Sequence, residues 1–152
     1  MTQPPLQGEG TGRVLVALQF GLLAWLAWRA VQAGALTWTT GVVGAAGLLL
    51  GLWALASNPP GNFHIRPTPH PRGHLVCSGP YRWIRHPMYV AVLLAGGACA
   101  GAGAGMADAI ALVLLAAVLV AKSVLEEHWM QRQHPGYADY RARTARFVPG
   151  LF

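Results

Sequence analysis

The sequence predicts an all-α integral membrane protein with four transmembrane helices arranged as two hairpins. Three observations predict it. Of 152 residues, 54% are hydrophobic and only 11% charged, where an ordinary soluble domain carries roughly 25% charged residues. Four apolar runs each approach the roughly 20 residues a helix needs to cross about 30 Å of hydrocarbon. The basic residues also avoid the two short connections between those runs. So few charges cannot cover a globule, and the composition excludes a soluble domain, a disordered chain, a disulfide scaffold and a coiled coil.

The length is that of one domain, residues 1–152. The first dozen residues are polar. The first run, Val14 to Ala35, is interrupted only by Gln19, Arg29 and Gln32, and is too long for the core of a cleavable signal peptide. Thr39 to Ser57 is the second run, Pro87 to about Gly103 the third, and Met106 to Leu125 the fourth. Short links join the first to the second and the third to the fourth. Between the hairpins, Asn58 to His86 holds Pro59, Pro60, Pro67, Pro69, Pro71 and Pro80, which exclude a continuous helix.

Arg66, Arg72, Arg82 and Arg85 lie in that central stretch, and Arg132, Arg141, Arg143 and Arg146 in the tail. The short turns carry no Lys or Arg. By the positive-inside rule the central loop and both termini are cytoplasmic, in a multi-pass protein of the bacterial inner membrane. The net charge of +6 therefore serves topology, and nucleic acid is not the expected partner. Glycines spaced by four (Gly47 and Gly51; Gly97, Gly101 and Gly105) are expected to bring helices close. Arg29 is within snorkelling reach of the outer interface. Cys77 and Cys99 are too few for a disulfide framework.

Chemistry concentrates on the cytoplasmic side. Because the third and fourth runs form a hairpin, Tyr81, Arg85, His86 and Tyr89 come near Lys122, Glu126 and Glu127. Pro87 suits the first turn of a helix, whose N-terminus favours a carboxylate or phosphate. The end of the fourth run, with two glutamates, favours a cation. Arg85 is either a cofactor or phosphate contact or a positive-inside residue. His64, His70, His74 and His134 are read as solvated loop histidines rather than a metal site, because Pro71 and Gly73 break helical spacing between His70 and His74.

The segment LVCSGPYRWIRHPMYVAVLL, followed after a hydrophobic hairpin by EEHWMQRQHPGYADYRARTARFVPGLF, resembles the isoprenylcysteine carboxyl methyltransferase family. The likeness runs over about residues 73–152 and rests on Arg85-His86-Pro87-Met88-Tyr89, Glu126-Glu127, Tyr137, Tyr140 and Pro149. Bacterial relatives and phospholipid N-methyltransferases share much of the pattern. The resemblance implies S-adenosylmethionine as methyl donor, contacted by Leu75, Val76, Tyr81, His86, Pro87, Met88, Tyr89 and Glu126. Where the family's prenylcysteine enzyme has an arginine for the substrate carboxylate, this chain has Lys122, which keeps the charge without the bidentate fork. The family's glycine two residues after the tyrosine is Ala91 here.

Lys122 is thus the candidate for orienting a carboxylate acceptor. Glu127 or His86 is the candidate proton acceptor if the nucleophile is an amine. Tyr137 and Tyr140 are candidate substrate contacts, on a tail that either lies on anionic headgroups or closes over the cofactor. The expected acceptor is lipophilic and reaches the site sideways from the bilayer. The alternatives are an amine N-methyltransferase of phospholipids and a non-enzymatic scaffold that keeps the fold.

Overall fold

The computed structural model describes residues 9–60, 62 and 73–150. Arg66, Arg72, His64, His70, Pro67, Pro69 and Pro71 lie outside the described residues. The chain forms five helices: α1 (Glu9–Ala33), α2 (Trp38–Ala56), α3 (Pro87–Gly103), α4 (Met106–Gln133) and the short α5 (Tyr137–Arg143). Three of them, α1, α2 and α4, are long and apolar enough to cross a membrane, and α3 is a shorter apolar helix. The protein is a multi-pass membrane protein.

Local chemistry sets the helix ends. Gly34 leaves α1 with φ +60°, the left-handed conformation that glycine adopts without steric cost. Thr37 opens α2 in a reciprocal cap: its Oγ1 accepts from the Thr40 amide at 3.2 Å, and Thr40 Oγ1 accepts from the Thr37 amide at 3.0 Å. Pro87 is the first residue of α3, where its missing N–H costs nothing. Asp108 Oδ2 accepts from the Gly105 amide at 3.1 Å and caps α4.

Two expectations are corrected. The helix leading away from the fourth apolar run does not stop near Leu125 but continues to Gln133. The run of Glu, Met, Gln and Arg beyond Leu125 consists of good helix formers, and the helix stops where Pro135 disfavours helical geometry in His134. Glu126 and Glu127 therefore lie inside a helix, not at its negative end.

The glycine stripe on the third run is also not uniform. A Cβ on Gly97 would meet nothing within 4 Å, whereas on Gly47 it would lie 3.0 Å from the Ala91 carbonyl oxygen. Close approach belongs to the α2–α3 contact.

In space, α2 packs on α3, and α1 packs on both α3 and α4. The four-residue link 34–37 joins α1 to α2, yet α2 leans on α3 rather than on its sequence neighbour. Leu26, Ala111, Leu115 and Leu119 form a small buried core between α1 and α4. Many large apolar side chains point outward, among them Leu48, Leu49, Val113 and Leu114, as a surface against lipid tails requires.

Lipid gives helices no hydrophobic reason to associate, so polar contacts between them matter. Arg29 meets Asp108 through Nε–Oδ1 at 3.2 Å and a terminal nitrogen to Oδ2 at 3.3 Å. Ten residues earlier on α1, Gln19 meets Lys122.

Candidate functional site

The site lies at the end of the bundle carrying the central loop and the tail. Gly79–Arg82 makes a short 3-10 turn before α3. Gly79 has φ +58°, and a Cβ there would fall on the Ser57 hydroxyl at the end of α2, so this turn takes glycine on both grounds. Residues 83–86 then run beside the tail. Ala145 N donates to the Trp83 carbonyl at 3.0 Å, Arg85 N to the Ala145 carbonyl at 2.8 Å, and His86 N to the Arg146 carbonyl at 3.2 Å. Tyr140 OH donates to the Tyr81 carbonyl at 2.8 Å, so the tail folds back onto the residues leading into α3.

Glu127 is the electrostatic knot of this arrangement. Its Oε1 accepts from Arg85 Nε at 2.9 Å and from Arg146 Nε at 3.1 Å, and its Oε2 from an Arg146 terminal nitrogen at 3.0 Å. His86 Nε2 is 3.2 Å from Oε1. Arg85 also donates to the carbonyls of Arg141 and Thr144. The carboxylate is buried, at 3% exposure, and such a charge is tolerable only when paired and hydrogen-bonded.

Beside this knot is a cavity of about 340 Å³, within the roughly 300–1,000 Å³ usual for small-molecule sites. Leu75, Val76, Tyr81, Arg85 and His86 line it from the central segment, and Pro87, Met88 and Tyr89 from the start of α3. Lys122 and Glu126 line it from α4, and Tyr137 and Tyr140 from α5. Every residue named from sequence as a cofactor or substrate contact is on its wall. Glu127 is not among them: its oxygens are directed to Arg85, Arg146 and His86.

Within the cavity, Tyr89 OH donates to Glu126 Oε2 at 2.7 Å, and the His86 ring stacks on Tyr89 with centroids 5.2 Å apart and planes 5° from parallel. Lys122 Nζ lies 5.1 Å from the centre of the Tyr89 ring, a cation–π distance. Burial, with Glu126 adding to it, pushes the Tyr81 hydroxyl up to about 12, and burial likewise raises Tyr137 and Tyr140. All three tyrosines keep their protons near neutral pH and offer O–H donors.

Sequence reasoning missed several wall residues. Gln19, Phe20 and Leu23 come from α1, Asn58 and Asn62 follow α2, and Met130 and His134 close α4. Asn62 ties the two ends of the central loop: its Nδ2 donates to Asn58 Oδ1 at 2.8 Å, and its Oδ1 accepts from the His74 amide at 2.7 Å. His74 and His134 both face the cavity, and burial, with His74 nearby, lowers the His134 pKa below the usual imidazole value. The interruption of an apolar run by Gln19 was the one available signal for the α1 contribution.

The chain is 38% identical over 82 residues to the nickel-cobalt-cadmium resistance protein NccN of Alcaligenes xylosoxydans xylosoxydans, an alignment covering 51% of this chain and 37% of that relative. The match thus spans little more than a third of the curated relative's length. No solved structure matches the chain. A family model for phospholipid methyltransferases matches residues 37–136, from the start of α2 through the cavity-lining part of α4. With well over half its length matched, and the matched part carrying most of the cavity wall, the chain belongs to the phospholipid methyltransferase family.

Proposed function

We propose that this protein transfers a methyl group from S-adenosylmethionine to a lipophilic acceptor at the cytoplasmic boundary of a bacterial inner membrane. The observation that carries the reading is the convergence in one cavity of His86 to Tyr89 at the start of α3 with Lys122 and Glu126 on α4, two segments more than thirty positions apart in sequence. The donor set fits the cofactor. Glu126 offers a carboxylate for its ammonium, the start of α3 a positive helix end for its carboxylate, and Leu75 and Val76 an apolar wall for its adenine. When bound, S-adenosylmethionine supplies a methyl group activated by its sulfonium.

The chain's own residues hold and orient the reactants. Tyr89 fixes the Glu126 carboxylate, and the Tyr140–Tyr81 bond holds the tail over the site and limits water. Glu127 is a positioning residue that locks Arg85, His86 and Arg146. Lys122 favours an anionic nucleophile, which needs no proton removed, and we read the acceptor group as a carboxylate. Arg82, Arg85, Arg132, Arg141, Arg143 and Arg146 lie in the segments of the loop end, and by the positive-inside rule they support a cytoplasmic position for that end and both termini.

A second reading, methylation of a phospholipid amine, is favoured by one observation: His134 on the cavity wall is held toward its neutral form, and a neutral imidazole can accept the proton an amine must lose. Stability of the labelled product to mild base separates the two, because an ester hydrolyses and an N-methyl group does not.

The test is calorimetric titration of S-adenosylmethionine into the protein in nanodiscs, beside Glu126→Ala, followed by transfer of a labelled methyl group to lipid extracts. We expect micromolar binding that is lost in the variant. Absence of binding by folded wild-type protein refutes the methyltransferase reading and favours a scaffold that keeps the fold.

A further inference from the structure

The cavity holds one polar contact whose partners come from opposite ends of the chain. Gln19 sits on the first helix, before the family-matched residues 37–136. It is buried, at 6% exposure, and lines the cavity. Its carboxamide oxygen accepts from Lys122 Nζ at 2.5 Å. Lys122, at 1% exposure, is also held against the face of Tyr89.

A glutamine in an apolar run is expensive unless its polar atoms are used. Here the oxygen is used, and the amide nitrogen, a double donor, finds no hydrogen-bond acceptor among the described residues. One helical turn along α1 the wall becomes apolar, with Leu23 of α1 and Val92 of α3 both lining it. The arrangement is a donor pair at the polar end of an apolar slot. It is matched by an amphiphile whose head presents two oxygens and whose tail continues toward Leu23.

We propose that Gln19 is a specificity-determining residue of the acceptor site. Its Nε2 and the Lys122 ammonium together grip the two oxygens of a carboxylate on a long-chain amphiphile. The proposal rests on the methyltransferase reading for its purpose, but not for its test, because the binding it describes needs no methyl donor. Where an arginine would offer two donors from one planar group, this chain divides the task between a lysine on α4 and a glutamine on α1. The side chains converge on one carboxylate from two helices.

The test uses the full chain in nanodiscs of zwitterionic lipid, with oleate and oleylamine as probes of equal tail length. Wild-type protein is expected to bind oleate at least tenfold more tightly than oleylamine. Gln19→Leu is expected to lose about tenfold in oleate affinity, in the range of one lost charge-assisted hydrogen bond, while its affinity for S-adenosylmethionine stays at the wild-type value. Gln19→Glu, which sets a carboxylate against Lys122, is expected to lose more oleate affinity than Gln19→Leu and to gain affinity for oleylamine.

Equal binding of the two probes by wild-type protein, or unchanged oleate affinity in both Gln19 variants, overturns the proposal. A protein that prefers oleate but does not bind S-adenosylmethionine keeps this proposal and refutes the methyltransferase reading instead. Circular dichroism and gel-filtration profiles of the variants confirm that they fold.

Discussion

Replacing Glu127 by Gln tests whether this residue is a structural knot rather than a participant in the reaction. The substitution preserves volume and removes the charge. It leaves Arg85 and Arg146, whose side chains are 7% and 13% exposed, without their counter-ion, and turns one of the two accepting oxygens into a donor facing guanidinium. Removing one partner of a buried pair costs about 3–5 kcal/mol, because the remaining charge stays desolvated. For a chain of this length, each kcal/mol lowers the unfolding temperature by roughly 2–4 °C.

The expected fall is therefore roughly 6–20 °C, measured by intrinsic tryptophan fluorescence in detergent. A double-mutant cycle with Arg146→Met is expected to return a coupling of about 0.5–3 kcal/mol. Limited proteolysis is expected to cut the tail after Gln133 earlier than in the wild type. An E127Q protein that unfolds within about 2 °C of wild type and resists protease equally would refute the reasoning. Methylation at the wild-type rate by the folded E127Q protein at low temperature would separately confirm that the carboxylate does not touch the reacting atoms.

Three further outcomes follow from the packing. Gly47→Ala pushes a methyl group to 3.0 Å from the Ala91 carbonyl oxygen and should cost about 1–3 kcal/mol through overpacking, whereas Gly51→Ala reaches only 3.5 Å from Ala91 Cβ and should be neutral in the same thermal assay. Gly79→Ala combines a left-handed backbone with a collision at Ser57; it should cost more than about 2 kcal/mol and lower S-adenosylmethionine affinity by displacing Tyr81, as read by calorimetry. Arg29→Met should destabilise more than Asp108→Ala. The first strands a carboxylate at 0% exposure, about 3–5 kcal/mol, while the second frees an arginine that is 34% exposed to snorkel outward and loses mainly the cap on Gly105.

Much of the fold was legible because lipid imposes a simple rule on the sequence. The third helix was legible at both ends since Pro87 fixes one and the small residues before Met106 fix the other. The fourth was read correctly at its start and cut eight residues short at its finish. Hydropathy reports where the hydrocarbon ends, and helix propensity carries the helix on to Gln133 regardless. The site was legible where it is local: HPMY and the paired glutamates mark their own positions.

The ion pairs of Glu127 were not legible in the sequence because its partners, Arg85 and Arg146, are separated from it by 42 and 19 positions. Residue type alone does not distinguish the two glutamates, and only the family resemblance singled out Glu126 for the cavity. The partner of Arg29 was missed for a similar reason. Asp108 is 79 positions from Arg29 and meets it only where α1 and α4 lie side by side.

The two polar contacts between α1 and α4 bear on each other. Arg29–Asp108 lies near the turn end and Gln19–Lys122 near the loop end, with Leu26, Leu115 and Leu119 buried between them. Along α1 the two contacts are ten residues apart, about 15 Å of rise, and along α4 fourteen residues, about 21 Å. The difference of roughly 6 Å is within reach of lysine and arginine side chains, which lean along their helices.

Apolar packing alone, with no hydrophobic drive in lipid, would fix the rotation of α1 weakly. Two directional contacts fix it strongly, since a slip of one residue turns a side chain by about 100° and would carry Gln19 out of the cavity. The ion pair at the far end of the bundle is therefore part of what aims Gln19 at Lys122. Arg29→Met should weaken oleate binding as well as stability, although its side chain lies more than two helical turns along α1 from the proposed acceptor site. Loss of stability with unchanged oleate affinity would show that Leu26 and its neighbours hold the register unaided.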